Sequence, residues 1–180
     1  GHLTIGAGRI VEQDLVRIGR ACRDGSIASL PAMGRLFEAA RRGSGRLHLL
    51  GLCSDAGVHA HLDHLEAVAR AASKAGVARV FVHAFTDGRD TPPMSAARYV
   101  ERLQASLDAL GSASIGTLGG RYFGMDRDRR WDRVERAYRA LALGEAPRVV
   151  SALQAVVEAH GAGVASHLAV TQDGASRRRR

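Results

Sequence analysis

Three short stretches hold most of the residues able to do chemistry: "SDAGVHAH" (Ser54 to His61), "TDGRDTPP" (Thr86 to Pro93) and "GRYFGMDRD" (Gly120 to Asp128). The first offers Ser54, Asp55, His59 and His61, the second Asp87, Arg89 and Asp90, and the third Arg121, Asp126, Arg127 and Asp128. A guanidinium is a planar fork whose paired N–H donors match the two oxygens of a carboxylate or phosphate. Arg89, Arg121 and Arg127, joined by His59 at one rim, would make a cationic bowl for a small anion. Gly88 permits a tight reversal, while Pro92 and Pro93 fix φ and restrict the residues before them, so Arg89 and Asp90 are held in place. An arginine that meets its anion without reordering a loop keeps more of the roughly 1.5 to 3 kcal/mol available from a charge-assisted hydrogen bond. Taken alone, the second stretch is also an ordinary Asp-Gly turn with an Arg89 to Asp90 surface pair. It is the three stretches together that point to a ligand.

The elements that would position them follow from the spacing of apolar residues. Val11, Leu15, Ile18 and Ala21, then Met33, Leu36, Phe37 and Ala40 after Pro31, predict two N-terminal helices. "RLHLLGLCS" (Arg46 to Ser54) is a strand-length apolar run, followed by a helix with Leu62, Leu65, Val68, Ala69 and Ala72 on one face and Gly76 at its end. The unit repeats with "VARVFVHAF" (Val77 to Phe85) and a helix through Ala97, Val100, Leu103, Leu107 and Leu110. A third unit joins the weaker strand "ASIGTLG" (Ala113 to Gly119) to a helix carrying Trp131, Val134, Tyr138 and Leu141, with Trp131 and Tyr138 expected in the core. Strands alternating with helices predict an α/β fold: three layers, a mostly parallel sheet and helices on both faces. In such sheets ligands bind at the carboxyl ends of the strands, where the three stretches fall. A last helix is expected from Val149 to His160, and residues 162–180, without a period, as a basic, poorly ordered tail.

Composition narrows the class. The chain has 180 residues, 46% hydrophobic and 24% charged, which suits one soluble core. No apolar run approaches the roughly 18 to 20 residues that span a bilayer, and the N-terminus lacks a signal-peptide pattern, so no membrane and a cytoplasmic location are expected. Cys22 and Cys53 give neither a disulfide framework nor a paired zinc motif. The net charge is +8, half of it from Arg177 to Arg180, which reads as solvated helix faces plus a tail, so no nucleic-acid partner is expected.

The histidines allow another chemistry. "HAHLDH" (His59, His61, Asp63, His64) resembles the H-x-H-x-D-H pattern of the metallo-β-lactamase family, whose members hold two zinc ions and generate hydroxide. Such a site needs later ligands, for which only His160, His167 and Asp173 are offered, and Asp63 and His64 also suit an ordinary helix start. His48 and His83 lie within strands and are expected as packed or hydrogen-bonded core residues. No Ser-His-Asp arrangement can be assigned, and the glycines of "GTLGGRYFG" match no nucleotide-binding spacing.

Four blocks, "GHLTIGAGRIVEQDLVRI", "LHLLGLCSDAGVHAHLDHL", "VFVHAFTDGRDTPP" and "GGRYFGMDRDRRWDRVERAY", resemble in order the 2,3-bisphosphoglycerate-independent phosphoglycerate mutase family, from Gly1 to about Gly161. The resemblance implies interconversion of 3-phosphoglycerate and 2-phosphoglycerate in glycolysis and gluconeogenesis through a phosphoserine intermediate. It also implies two domains. A phosphatase-like domain holds the serine and two Mn²⁺ ions, and an inserted phosphotransferase domain grips the glycerate. The family's substrate-contacting histidine falls on His59, its Arg-Asp pair on Arg89 and Asp90, and two further arginines on Arg121 and Arg127. The roles this implies are anion neutralisation by the arginines, a hydrogen bond from His59, and acceptance of a glycerate hydroxyl by Asp90, which also stands as the candidate catalytic base. The family's nucleophile segment resembles G-N-S-E-V-G-H, and the chain opens at its final Gly-His. The serine, the metal ligands and a later arginine pair are therefore expected outside it. Residues 1–161 are thus expected to be most of the glycerate-binding domain, holding no metal and inactive without its partner domain. A zinc hydrolase and a non-catalytic anion-binding remnant are the alternatives.

Overall fold

The computed structural model describes residues 2–162 and 169–172. Helix α1 (His2–Ala7) and helix α2 (Asp14–Arg23) precede a 3₁₀ turn (Ser26–Ser29) and α3 (Pro31–Arg42). Three strand-helix units follow: β1 (Arg46–Cys53) with α4 (Leu62–Lys74), β2 (Arg79–Thr86) with α5 (Ala96–Asp108), and β3 (Ala113–Gly120) with α6 (Arg121–Gly124) and α7 (Trp131–Tyr138). The chain continues through a π-helical turn (Arg139–Leu143), β4 (Arg148–Val149), α8 (Ala152–Gly161) and β5 (Ala169–Gln172). The sheet order is β1-β2-β3-β5-β4. Three of its four pairings are parallel, and β5 runs antiparallel to β3.

The alternation of the strands sorts the layers. Leu47 and Cys53 of β1, Val80, Val82 and Ala84 of β2 and Ile115 and Leu118 of β3 join the core with α3, α4, α5 and α8, where Leu62, Val100, Leu103, Leu107 and Val156 are fully buried. The opposite face carries Phe81, His83 and Phe85. It is covered by α6, α7 and the π-helical turn through Phe123, Ala137, Ala140 and Leu141. Cys53 lies in the first layer, where burial pushes its thiol up to about 12 and keeps it inert. Among the described residues, no helix is long and apolar enough to cross a membrane.

Register is what matters for function. β1 and β2 pair from Arg46↔Arg79 to Cys53↔Thr86, and Thr86 pairs with Gly120 of β3. Because the three parallel strands end in one row, the next residues, Ser54, Asp87 and Arg121, stand side by side. A bulge between Val82 and His83 leaves Gly116 unpaired and sets Thr117 opposite His83. His83 is buried, its Nδ1 2.9 Å from Thr117 Oγ1 and its Nε2 2.8 Å from His48 Nδ1.

Burial, and then the neighbouring His48, push the His83 imidazole down to about 4. Unfolded, this ring would titrate near 6.5, so between those values the unfolded chain binds the extra proton. Stability from His83 is therefore complete above about pH 6.5 and is lost as pH falls toward 4, on the order of 3 kcal/mol in all. Urea midpoints measured across that range should fall with acid, and His83→Gln should flatten the slope.

Three expectations change. Trp131 and Tyr138 are 72% and 60% exposed, not core. α7 instead turns Arg133 and Ala137 inward, and the π-helical turn after it Ala140, because the Arg133 guanidinium is tied to Asp126 and lies 3.9 Å over the Tyr122 ring. Helix α2 starts at Asp14, after Val11, and its Leu15 and Ile18 stay 37% and 40% exposed. Within the stretch expected as a tail, residues 169–172 form β5 between β3 and β4, too short to show a period. Residues 163–168 and 173–180, including His167, Asp173 and the terminal arginines, lie outside the described residues.

Candidate active site at the strand ends

The row of strand ends builds a network around Asp87, a carboxylate only 3% exposed. Its Oδ2 accepts from Ser54 Oγ at 2.9 Å. Its Oδ1 accepts from the backbone N–H groups of Arg89 and Asp90, both at 3.1 Å, and from Arg121 Nη1 at 2.5 Å. Burial pushes this carboxyl up, but hydrogen bonds from Arg121, the two backbone amides and Ser54 outweigh burial and hold it below its ordinary value. The loop after β2 is thus wrapped around its own first side chain. Gly88, at φ +84°, makes the reversal in the left-handed region that favours glycine.

Arg121 is 9% exposed and shares Nη1 between Asp87 and Asp90 Oδ2, the latter at 2.7 Å. Burial disfavours its charge, and the pairs with Asp90 and Asp87 more than restore it, raising its affinity for the proton. His59 Nε2 lies 3.6 Å from the same Asp90 oxygen. All three loops therefore meet: the β1 loop through Ser54 and His59, the β2 loop through Asp87 and Asp90, and the β3 end through Arg121.

A second buried carboxylate organises the loop after α6. Asp126, its side chain 1% exposed, accepts from the backbone N–H groups of Asp128 at 3.2 Å and Arg130 at 2.9 Å, and from Arg133 Nη1 at 3.3 Å. Between these two anchored loops lies a cleft of about 390 Å³ whose lining includes Arg89, Arg121, Arg127, Tyr122, Met125 and Arg133. Arg89 and Arg127 are exposed, and among the described residues neither guanidinium has an ion-pair partner. Of the residues selected from sequence, Arg89, Arg121 and Arg127 line the cleft. His59 and Asp90 do not, and connect to it through Arg121. The expected bowl of three arginines is two open guanidinium groups plus one buried and paired.

Sequence reasoning named Ser54, Asp87 and Asp126 in their loops but gave them no role. Their signal is positional, since Ser54 and Asp87 are each the first residue after a strand. Arg133 went unnoticed. It carries no sequence signal, being a charge on a helix whose apolar spacing points elsewhere.

The histidine cluster separates. His61 caps α4, its Nδ1 accepting from the Asp63 backbone N–H at 3.2 Å, and its ring is tilted 39° against that of His64. Asp63 and Glu66 both bind Arg102 Nη2, at 2.5 and 2.6 Å. His59 faces Asp90 instead, and among the described residues no three His, Cys, Asp or Glu side chains gather to hold a metal. The dinuclear zinc reading is not supported: the spacing fits the pattern, but a helix start turns its members to separate tasks. A larger cleft, about 520 Å³, lies between α2 and α4. Its carboxylates Asp63 and Glu66 are already matched by Arg102, and none of the three strand-end loops' arginines reaches it.

The fold and this rim make an α/β domain that presents arginines at the carboxyl ends of parallel strands, the place where open α/β sheets bind ligands. Residues 18–169 match the family model described as the N-terminus of BPG-independent phosphoglycerate mutase. The chain is 56% identical over 145 residues to 2,3-bisphosphoglycerate-independent phosphoglycerate mutase of a Cyanothece species, covering 81% of this chain and 27% of that protein. It is 53% identical over 156 residues to the enzyme of Moorella thermoacetica, covering 87% and 30%. A crystal structure of Leishmania mexicana phosphoglycerate mutase at low cobalt concentration superposes with a TM-score of 0.82 at 32% identity, covering 92% of this chain and 32% of that one. The chain belongs to the 2,3-bisphosphoglycerate-independent phosphoglycerate mutase family, as its N-terminal domain, and spans about 30% of the length of these relatives.

Proposed function

We propose that this chain is the substrate-gripping part of a cytoplasmic phosphoglycerate mutase that interconverts 3-phosphoglycerate and 2-phosphoglycerate through a phosphoserine. The observation that carries the reading is the convergence of His59, Arg89, Asp90, Arg121 and Arg127 from three strand-end loops. A phosphoglycerate carries two anionic groups and a hydroxyl. Arg89 and Arg127, exposed on the cleft wall, suit the phosphate and carboxylate oxygens in bidentate geometry. Asp90, held by Arg121 and His59 through Oδ2, is placed to accept a hydrogen bond from the hydroxyl, the group that must be deprotonated for phosphoryl return. His59 donates to the ligand from the opposite loop. Holding the glycerate at several points while its phosphoryl group is on a serine is a positioning task, and positioning together with electrostatic stabilisation accounts for almost all catalysis of phosphoryl transfer.

Two Mn²⁺ ions and the nucleophilic serine are assigned to a phosphatase-like domain outside this chain, where the ions would neutralise phosphate charge. Among the described residues no group fits such an ion. Calorimetric titration of the purified chain with 3-phosphoglycerate should give saturable, salt-sensitive binding, with no 2-phosphoglycerate formed when Mn²⁺ is added. Absence of binding would sink the substrate assignment, and turnover would sink the division of labour.

A further inference from the structure

Asp87 is more buried than any of the groups proposed to touch the substrate. A carboxylate taken out of water costs several kcal/mol unless it is charge-paired and hydrogen-bonded, and this one takes four hydrogen bonds, from Ser54, Arg89, Asp90 and Arg121. Two of them fix the backbone that carries Arg89 and Asp90. A third joins the β1 loop. The fourth holds Arg121, which is also held by Asp90.

The two carboxylates on Arg121 are not equivalent. The Asp87 side chain is 1% exposed and that of Asp90 19%. Asp87 lines the cleft but is fixed by four hydrogen bonds, whereas Asp90 accepts one from Arg121 and is reached by water, so Asp90 is the partner an arriving anion can displace. Resting on the substrate assignment above, we propose that Asp87 is a positioning residue. It keeps the Arg121 guanidinium anchored at the strand ends, so that Arg121 trades Asp90 for an oxygen of the phosphoglycerate. Asp90, released by that exchange, is then free to accept the substrate hydroxyl. The pair with Asp90 thus holds the empty site in a charge-balanced state, and the anchor on Asp87 aims Arg121 when the pair opens.

The test is a set of 3-phosphoglycerate titrations on the full chain with Asp87→Asn, Arg121→Lys, Arg127→Lys and the two doubles that contain Asp87→Asn. Asparagine keeps the acceptor for the two backbone amides and removes the charge that anchors the guanidinium. Asp87→Asn should weaken binding about tenfold or more, the loss of one charged hydrogen bond. That loss should largely vanish on an Arg121→Lys background and persist in full on an Arg127→Lys background. Equal losses on both backgrounds would mean that Asp87 supports the loop in general and would overturn the proposal. Should Asp87→Asn fail to fold, Ser54→Ala, which removes one hydrogen bond from Asp87, must show the same selectivity in smaller measure. Arginine side-chain N–H spectra of the unliganded chain decide the anchor without ligand. The Arg121 signals should stay protected in Asp90→Asn and be lost in Asp87→Asn. The reverse pattern would refute the anchor even where 3-phosphoglycerate binds, whereas a parent chain that does not bind removes only the substrate assignment.

Discussion

Arg121→Ala should abolish 3-phosphoglycerate binding and lower the stability of the chain by about 3 to 5 kcal/mol at neutral pH, the range for removing one partner of a buried ion pair. The size of the effect follows from what is left behind. Asp87 would keep its place under the loop with Ser54 and two backbone amides but without its cation, and Asp90 would lose its 2.7 Å partner. The deficit should depend on pH in a defined direction. In the parent, Asp87 is held below its ordinary value, so its contribution is present above the unfolded carboxylate range and is lost as pH falls through the lower folded value. Without the guanidinium, burial is less opposed and Asp87 takes its proton at higher pH. The gap between variant and parent should therefore narrow on acidification toward pH 4. Urea unfolding at pH 7.5 and 4.5 measures it through the midpoint at constant m. A variant as stable as the parent at pH 7.5 would show that the buried network is not formed in solution.

How much of this was legible beforehand depends on the element. The three strand-helix units were visible because each strand is a short apolar run and each helix shows a single apolar face, patterns set by local geometry. β5 was not, since four residues in a central position are stabilised by neighbours, β3 and β4, that lie far off in sequence. Trp131 and Tyr138 misled because apolar spacing reports a helix face without saying that it is the buried one. Here the pull of Asp126 and Tyr122 on Arg133 decides the rotation. In the site, the residue types and the resemblance selected Arg89, Arg121 and Arg127, which line the cleft, and His59 and Asp90, which stand beside it. They did not reveal that Arg121 is buried or that Asp87 governs it, because that follows from Cys53, Thr86 and Gly120 ending in one row. Register is a property of pairing between strands, and no single stretch contains it.

Arg89→Ala and Arg127→Ala should behave in the opposite way to Arg121→Ala, each weakening 3-phosphoglycerate binding about 10- to 100-fold while leaving stability unchanged within about 0.5 kcal/mol. Both side chains are exposed, and among the described residues neither guanidinium holds an ion pair, so truncation strands no buried charge. The loops that carry them are fixed by Asp87 and Asp126 through backbone amides of Arg89, Asp90, Asp128 and Arg130, bonds that survive the loss of a side chain beyond Cβ. What disappears is only the interaction with the anion. The loss should shrink as ionic strength rises, because salt screens an exposed charge that a buried pair would hide. Lysine at either position should restore only part of the affinity, since an ammonium supplies charge without the bidentate fork. Calorimetry at two salt concentrations, paired with urea midpoints for the same proteins, separates the outcomes. Unchanged binding in both alanine variants would remove the open arginines from the site, and a large stability loss in either would show that the loops rest on those side chains and not on the two buried carboxylates.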